Sequence, residues 1–306
     1  MLAIVAPGQG AQKPGLLTPW LEIEGVSEAL AQATATTRLD LVALGTKADA
    51  DTIRDTAIAQ PLLVAVGLVA GVTLLQGGHG DVYAGHSVGE LTVAGLSGIL
   101  SYPAAVKLAA RRGREMAEAA DLAATGMSAV LGGDQDAVVA AITAAGLEVA
   151  NYNGPGQIVA AGELAKLDHL RQYLPPRSRA VPLAVAGAFH TSFMVPALAV
   201  LAAAVDVLEP GAPHGIVLSN LDGAAVTSGA DLLARLVPQI THPVRWDLVL
   251  QSLEALGVTG LLELPPAGTL TAIAKRHLPG VELFQLDRPD QLDAARAFCA
   301  RHQAAA

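Results

Sequence analysis

The stretch Gly85-His86-Ser87-Val88-Gly89 limits the architecture of this chain more than any other. It fits Gly-x-Ser-x-Gly, a pattern in which a serine sits on a sharp turn between a strand and a helix. The flanks agree, since residues 81–84 read as a short strand and 88 to about 98 as the helix after it. A serine Oγ becomes nucleophilic only when a base takes its proton. The turn exposes that Oγ and sets the next helix's amides beside a developing oxyanion. The plainer alternative is a small residue in a glycine-rich turn.

The rest of the chain reads as α/β. A strand at 2–6 runs into Pro7-Gly8-Gln9-Gly10-Ala11-Gln12. That loop fails the dinucleotide pattern because Lys13 stands where the third glycine belongs. Ser101 can cap a helix to about 120, with Pro103 in its first turn. The pattern then changes: a strand at 127–131, a helix capped by Asp134 to about 145, strands at 148–151 and 157–162, a helix at 163–174 and a strand at 179–185. The order βαββαβ is that of a ferredoxin-like unit. The expectation is a small ferredoxin-like subdomain, 125–186, inserted into a large α/β-hydrolase-like catalytic domain made of 1–124 and 187–306. The large domain resumes with strands at 216–219, 261–264 and 282–286. Its helices open at Ser228-Gly229-Ala230-Asp231, at 246, at 269 and at Pro289.

Eight histidines are available as the base. His190 follows an apolar run and comes after the serine, the order found in α/β-hydrolases. His242 stands second, and His86, on the strand side of the serine, is expected to point away. Asp206, Asp222 and Asp247 could orient a histidine, but none sits in a telling context. On the helix from Ser101, Lys107, Arg111, Arg114, Glu115 and Glu118 share a polar face. Arg112 instead lies among Ala105, Leu108, Ala109 and Met116. A cation there needs a partner: a carboxylate held bidentately, a structural ion pair, or water reached by snorkelling.

Composition excludes several classes. A formal net charge of −9 argues against a nucleic-acid partner, which demands a clustered basic excess. The longest uncharged apolar stretch, 61–75, falls short of the roughly 20 residues a bilayer span needs, so a buried core helix is expected and no membrane partner. Cys299 is the single cysteine, which suits a reducing cytoplasm. No metal-ligand spacing appears, and no coiled coil suggests anything but a monomer.

Together these residues resemble the malonyl-CoA:acyl carrier protein transacylases of fatty acid and polyketide synthesis. The resemblance rests on seven blocks in order. They are residues 6–12, 85–90, Arg112-Gly113, 151–157, Gly187-Ala188-Phe189-His190, 239–246 and Lys275-Arg276. It implies Ser87 as nucleophile, His190 as base, and the main-chain carbonyl of Gln239 as the group orienting that base. It implies the backbone N–H groups of Gln9 and Val88 as the oxyanion hole, and Arg112 as the partner of the malonyl carboxylate. Phe189 matches the phenylalanine of malonyl-taking relatives, where methylmalonyl-taking ones carry serine. The implied partners are malonyl-CoA and an acyl carrier protein bearing phosphopantetheine. Thioester is exchanged for thioester, so no cofactor is implied. The chain departs from the pattern at Leu264-Pro265-Pro266-Ala267-Gly268, where the family usually has Gly-Pro-Gly. A thioesterase, a silent carrier-docking module and a malonate-decarboxylase subunit are the alternatives.

Overall fold

Leu2–Ala6 is apolar and buried at every position, as a strand covered on both faces must be. In the computed structural model, which describes residues 1–303, it is the central strand of a sheet. In chain order the elements are β1 (Leu2–Ala6), α1 (Val26–Thr37), α2 (Leu41–Thr46), α3 (Thr56–Leu75), β2 (Val82–Gly85), α4 (Gly89–Leu96), α5 (Tyr102–Ala120), β3 (Thr125–Gly132), α6 (Gln135–Ala144), β4 (Glu148–Tyr152) and β5 (Gln157–Glu163). There follow α7 (Leu164–Gln172), β6 (Ser178–Pro182), α8 (Leu198–Asp206), β7 (Ile216–Leu218), α9 (Gly229–Gln239), β8 (Val244–Arg245), α10 (Trp246–Ala255), β9 (Gly260–Glu263), α11 (Thr269–His277), β10 (Glu282–Gln285) and α12 (Leu292–His302).

The first sheet is parallel, ordered β10-β9-β1-β2-β7. Alternation along β1 divides the interior in two. Leu2, Ile4 and Ala6 face the larger core with α3, α4 and α5, while Ala3 and Val5 face a second core with α10 and α11. The period of two in a strand produces that division.

The second sheet is ordered β6-β3-β5-β4-β8. Its first four strands are antiparallel and, numbered within the unit, run 4-1-3-2, with α6 and α7 against one face. Sequence reading did not anticipate β8, which pairs parallel with β4 through Asn151 and Val244. It ties this sheet to the segment between α9 and α10.

Two expectations on the helices need correction. The apolar run at 61–75 belongs to a helix that starts at Thr56, capped by the Asp55 side chain on Ala57 N–H. Its 20 residues are long and apolar enough to cross a membrane, and 78% of its most apolar window is buried inside the fold. The helices α1, α2 and α8 were not expected; Ala- and Thr-rich segments such as α1 give a weak periodic signal.

The carboxyl ends of β1 and β2 both open into loops, the glutamine loop 7–12 and the serine turn. Ligands of open parallel sheets bind at such strand ends.

Candidate active site

The serine turn is forced by contact. A Cβ on Gly85 would lie 2.1 Å from Glu90 N, and one on Gly89 would lie 2.3 Å from the Ala6 carbonyl oxygen. Only glycine permits that approach of strand, turn and helix. His86 N–H donates to the Ala6 carbonyl (3.0 Å), and the chain then turns through Ser87 at φ +53°. A non-glycine residue held there is strained, and strain of this kind gathers at functional sites.

Ser87 Oγ lies 2.7 Å from His190 Nε2, and His190 Nδ1 lies 2.8 Å from the Gln239 carbonyl oxygen. A carbonyl only accepts, so Nδ1 carries the proton and Nε2 is left to receive one from the serine. His190 is buried, at φ +62°, on a turn closed by Thr191 Oγ1 donating to the Ala188 carbonyl (2.6 Å). Burial first, and the Arg112 charge second, push its pKa down to about 3. The imidazole is therefore neutral and able to accept. His242 stays outside, exposed, with Nδ1 on the Pro238 carbonyl (2.8 Å). Asp222 and Asp247 pair with Arg235 and Arg245 (both 2.7 Å) and do not reach the histidine.

Arg112 does not snorkel. It is 1% exposed and donates to three oxygens: Gln60 Oε1 (2.8 Å), Gln239 Oε1 (2.7 Å) and Ser87 Oγ (3.2 Å). Burial lowers it to about 10, so it remains a cation. No carboxylate pairs with it directly among the described residues. Glu90, buried on the far side of the Gln239 amide, supplies the nearest opposing charge.

The glutamine loop passes against the serine turn, where Gly8 abuts the His86 carbonyl. Gln9 is tied to Thr56 Oγ1 through its side chain (3.0 Å). The backbone N–H groups of Gln9 and Val88 donate to nothing else among the described residues. Both residues line a cleft with Ser87, His190 and the buried ring of Phe189, together with Asn153, just after β4, and Gln157, at the start of β5.

Several site residues were not legible in the sequence. His86 faces the cleft, with Nε2 on Asn153 Oδ1 (3.0 Å) and its ring 5.5 Å from that of Trp246. Gln60, Asn220 and Glu90 were missed as well; the one usable signal was a carboxylate in the otherwise uncharged Gly-Glu-Leu-Thr-Val-Ala-Gly-Leu. Lys275-Arg276 lies at the rim, where Arg276 reaches Gln157 Oε1 (2.5 Å). The divergent loop after Leu264 has a cis Pro265–Pro266 bond and is held by Asp287 on Ala267 N–H (2.7 Å). Among the described residues no cluster of metal ligands occurs. Cys299 is buried and pushed up to about 11, so its thiol is inert.

A serine on a strained turn, a neutral histidine held by a carbonyl, and a fixed cation at the nucleophile define a serine acyl-transfer centre. The sequence pattern of the acyl transferase domain family matches residues 4–286, and the chain belongs to that family. It is 46% identical over 297 residues to the malonyl CoA-acyl carrier protein transacylase of Mycobacterium tuberculosis, covering 96% of this chain and 98% of that one. The protein of that name from Escherichia coli is 32% identical over 306 residues, with 96% and 98% covered. Among solved structures, MCAT from M. tuberculosis superposes with a TM-score of 0.94 at 46% identity over 97% of this chain and 99% of that one. A malonyl-transacylase in complex with a type II PKS acyl-carrier protein gives 0.90 at 29% identity, with 97% and 99% covered.

Proposed function

We propose that this chain carries malonyl groups from malonyl-CoA, through an ester on Ser87, to the phosphopantetheine thiol of an acyl carrier protein, for fatty acid or polyketide elongation. The observation that carries the reading is the buried guanidinium of Arg112, 3.2 Å from Ser87 Oγ. A fixed cation beside the serine suits an acyl group that carries its own carboxylate, as a malonyl ester does.

In the first half-reaction His190 Nε2 takes the Ser87 proton as Oγ attacks the thioester carbonyl. The amides of Gln9 and Val88 receive the oxyanion, the C–S bond breaks, and the proton passes from His190 to the leaving sulfur. In the second, the carrier thiol gives its proton to His190 and attacks the ester. The C–O bond breaks and Ser87 recovers its proton. Once bound, the malonyl carboxylate neutralises Arg112 and so removes one of the two main causes that depress His190. The base is then stronger in the acyl-enzyme than in the free enzyme. Phe189, next to the base, would crowd an α-methyl group and favour malonyl over methylmalonyl.

Relatives named for the same transfer, over nearly their whole length, support this reading. The same reading makes 125–186 a ferredoxin-like subdomain, supported by its 4-1-3-2 strand order. It also takes the chain as a monomer of the reducing cytoplasm, in keeping with its single buried thiol.

Intact-protein mass after malonyl-CoA treatment tests the proposal. The wild type is expected to gain one malonyl group and Ser87→Ala none; an adduct that persists in Ser87→Ala overturns it. Coenzyme A release at full rate without carrier protein would favour a thioesterase instead.

A further inference from the structure

Glu90 lies one turn past Ser87 on α4 and is completely buried. Its Oε1 accepts from Asn220 N–H and its Oε2 from Gln239 Nε2, both at 2.5 Å. At the other end of the same amide, Gln239 Oε1 accepts from Arg112 Nη2 (2.7 Å), the nitrogen that also donates to Ser87 Oγ. An amide has one accepting end and one donating end. An ionised carboxylate only accepts and a guanidinium only donates, so one orientation of Gln239 satisfies both neighbours and the flipped one satisfies neither. Two further acceptors sit at the donating end, Asn220 Oδ1 and the Ser87 carbonyl, both at 3.3 Å. The Asn220 amide is itself fixed, because its Nδ2 donates to the Gly85 carbonyl (2.6 Å).

We propose that Glu90 is a positioning residue for acyl selectivity: by dictating which end of Gln239 faces Arg112, it holds the guanidinium on Ser87 in the pose that receives the carboxylate of a malonyl ester. The proposal rests on the reading of Arg112 as that anchor. A direct Glu90–Arg112 pair would occupy the guanidinium donors that the substrate needs. Routed through an amide, the negative charge offsets the buried cation while its outer nitrogen stays at the nucleophile. Gln239 thereby serves both halves of the site, the base through its carbonyl and the anchor through its side chain.

Glu90→Gln breaks the pattern. With its oxygen kept on Asn220 N–H, the new NH2 meets the NH2 of Gln239, which either turns against Asn220 Oδ1 and the Ser87 carbonyl or stays without its charged acceptor; both weaken its hold on Arg112. Gln239→Met removes the amide and keeps the carbonyl that holds His190. The measurement is kcat/KM for malonyl and acetyl transfer from coenzyme A to one carrier protein in wild type, both variants and the double variant. Each single change is expected to lower the malonyl:acetyl ratio about tenfold, the worth of one charge-assisted hydrogen bond. The double variant should lower it no further, because both act through one amide.

A wild-type ratio in Glu90→Gln, equal losses for both acyl groups, or single effects that multiply would overturn the proposal. Should Glu90→Gln lose its near-UV circular dichroism, Gln239→Met decides alone, and an unchanged ratio there overturns it. A wild type with no preference for malonyl fails the Arg112 reading rather than the role of Glu90.

Discussion

Glu90 and Glu263 are both glutamates with no exposed surface near the carboxyl ends of parallel strands, and they are held in opposite ways. Glu263 ends β9 and accepts from the N–H groups of Gly268 (2.9 Å), Leu270 (2.8 Å) and Thr271 (2.8 Å), and from Thr271 Oγ1 (2.8 Å). All four donors belong to the turn that opens α11. A helix start offers unpaired amides and the positive end of a dipole, so this carboxylate is answered by the backbone it caps. Glu90 takes one backbone amide, and its other oxygen holds a side chain that holds another side chain. A buried carboxylate answered by nearby backbone belongs to the architecture. One answered by a distant side chain belongs to the site.

The largest test of that difference is Arg112→Ala. Loss of a buried anchor for a carboxylate is expected to cut malonyl kcat/KM on the order of 10²- to 10³-fold, with acetyl transfer reduced far less. Comparable losses for the two acyl groups would make Arg112 a structural cation and Glu90 merely its counter-charge. The matching change in the other region is Glu263→Gln. It sets an NH2 against amide donors and is expected to destabilise the protein by roughly 2 kcal/mol. The urea midpoint should fall at constant slope, with the malonyl:acetyl ratio at its wild-type value. A shifted ratio would erase the distinction between the two carboxylates.

The same distinction separates what can be read in the sequence from what cannot. The serine turn is legible because strand, glycines and helix are adjacent, and contacts of 2.1 and 2.3 Å allow no other residue at Gly85 and Gly89. Arg112 is legible because a helical wheel shows a cation on an apolar flank. Even the unexpected β8 matters less than the links across the site. Glu90 meets Asn220 and Gln239 at separations of 130 and 149 residues, and no local period reports such pairs. The direction of His86 is hidden for the same reason, since its partner Asn153 is 67 residues away. Chain order already sets His190 ahead of His242, and the family resemblance implies the Gln239 carbonyl in place of an acid; the residues alone do not join them, because the two lie 49 positions apart.

The smallest expected effect is a titration, and it concerns Glu90. Burial raises its carboxyl to about 7, against the opposing pull of Asn220, Ser219, Arg112 and Gln239. Arg112 is the one charged side chain among these, and at about 10 it stays protonated. Below about pH 7 Glu90 is therefore largely neutral. A neutral Glu90 sets a donor among Asn220, Ser219 and Gln239 in place of a charged acceptor. The Gln239 amide then loses the charge that holds its donating end, and its grip on Arg112 loosens. With kcat/KM taken for the acyl-CoA, both acyl groups start from the same free enzyme, so the titration of His190 there cancels in the malonyl:acetyl ratio. From pH 8 to pH 6 that ratio is expected to fall roughly two- to fivefold in the wild type and to stay flat in Glu90→Gln. A wild-type ratio independent of pH would leave Glu90 without a part in selectivity. Stability runs the other way: a carboxyl raised on folding contributes fully below its unfolded value, and that contribution is lost as pH rises through about 7. Selectivity that grows with pH while this stability declines is an outcome that a carboxylate serving only the fold does not produce.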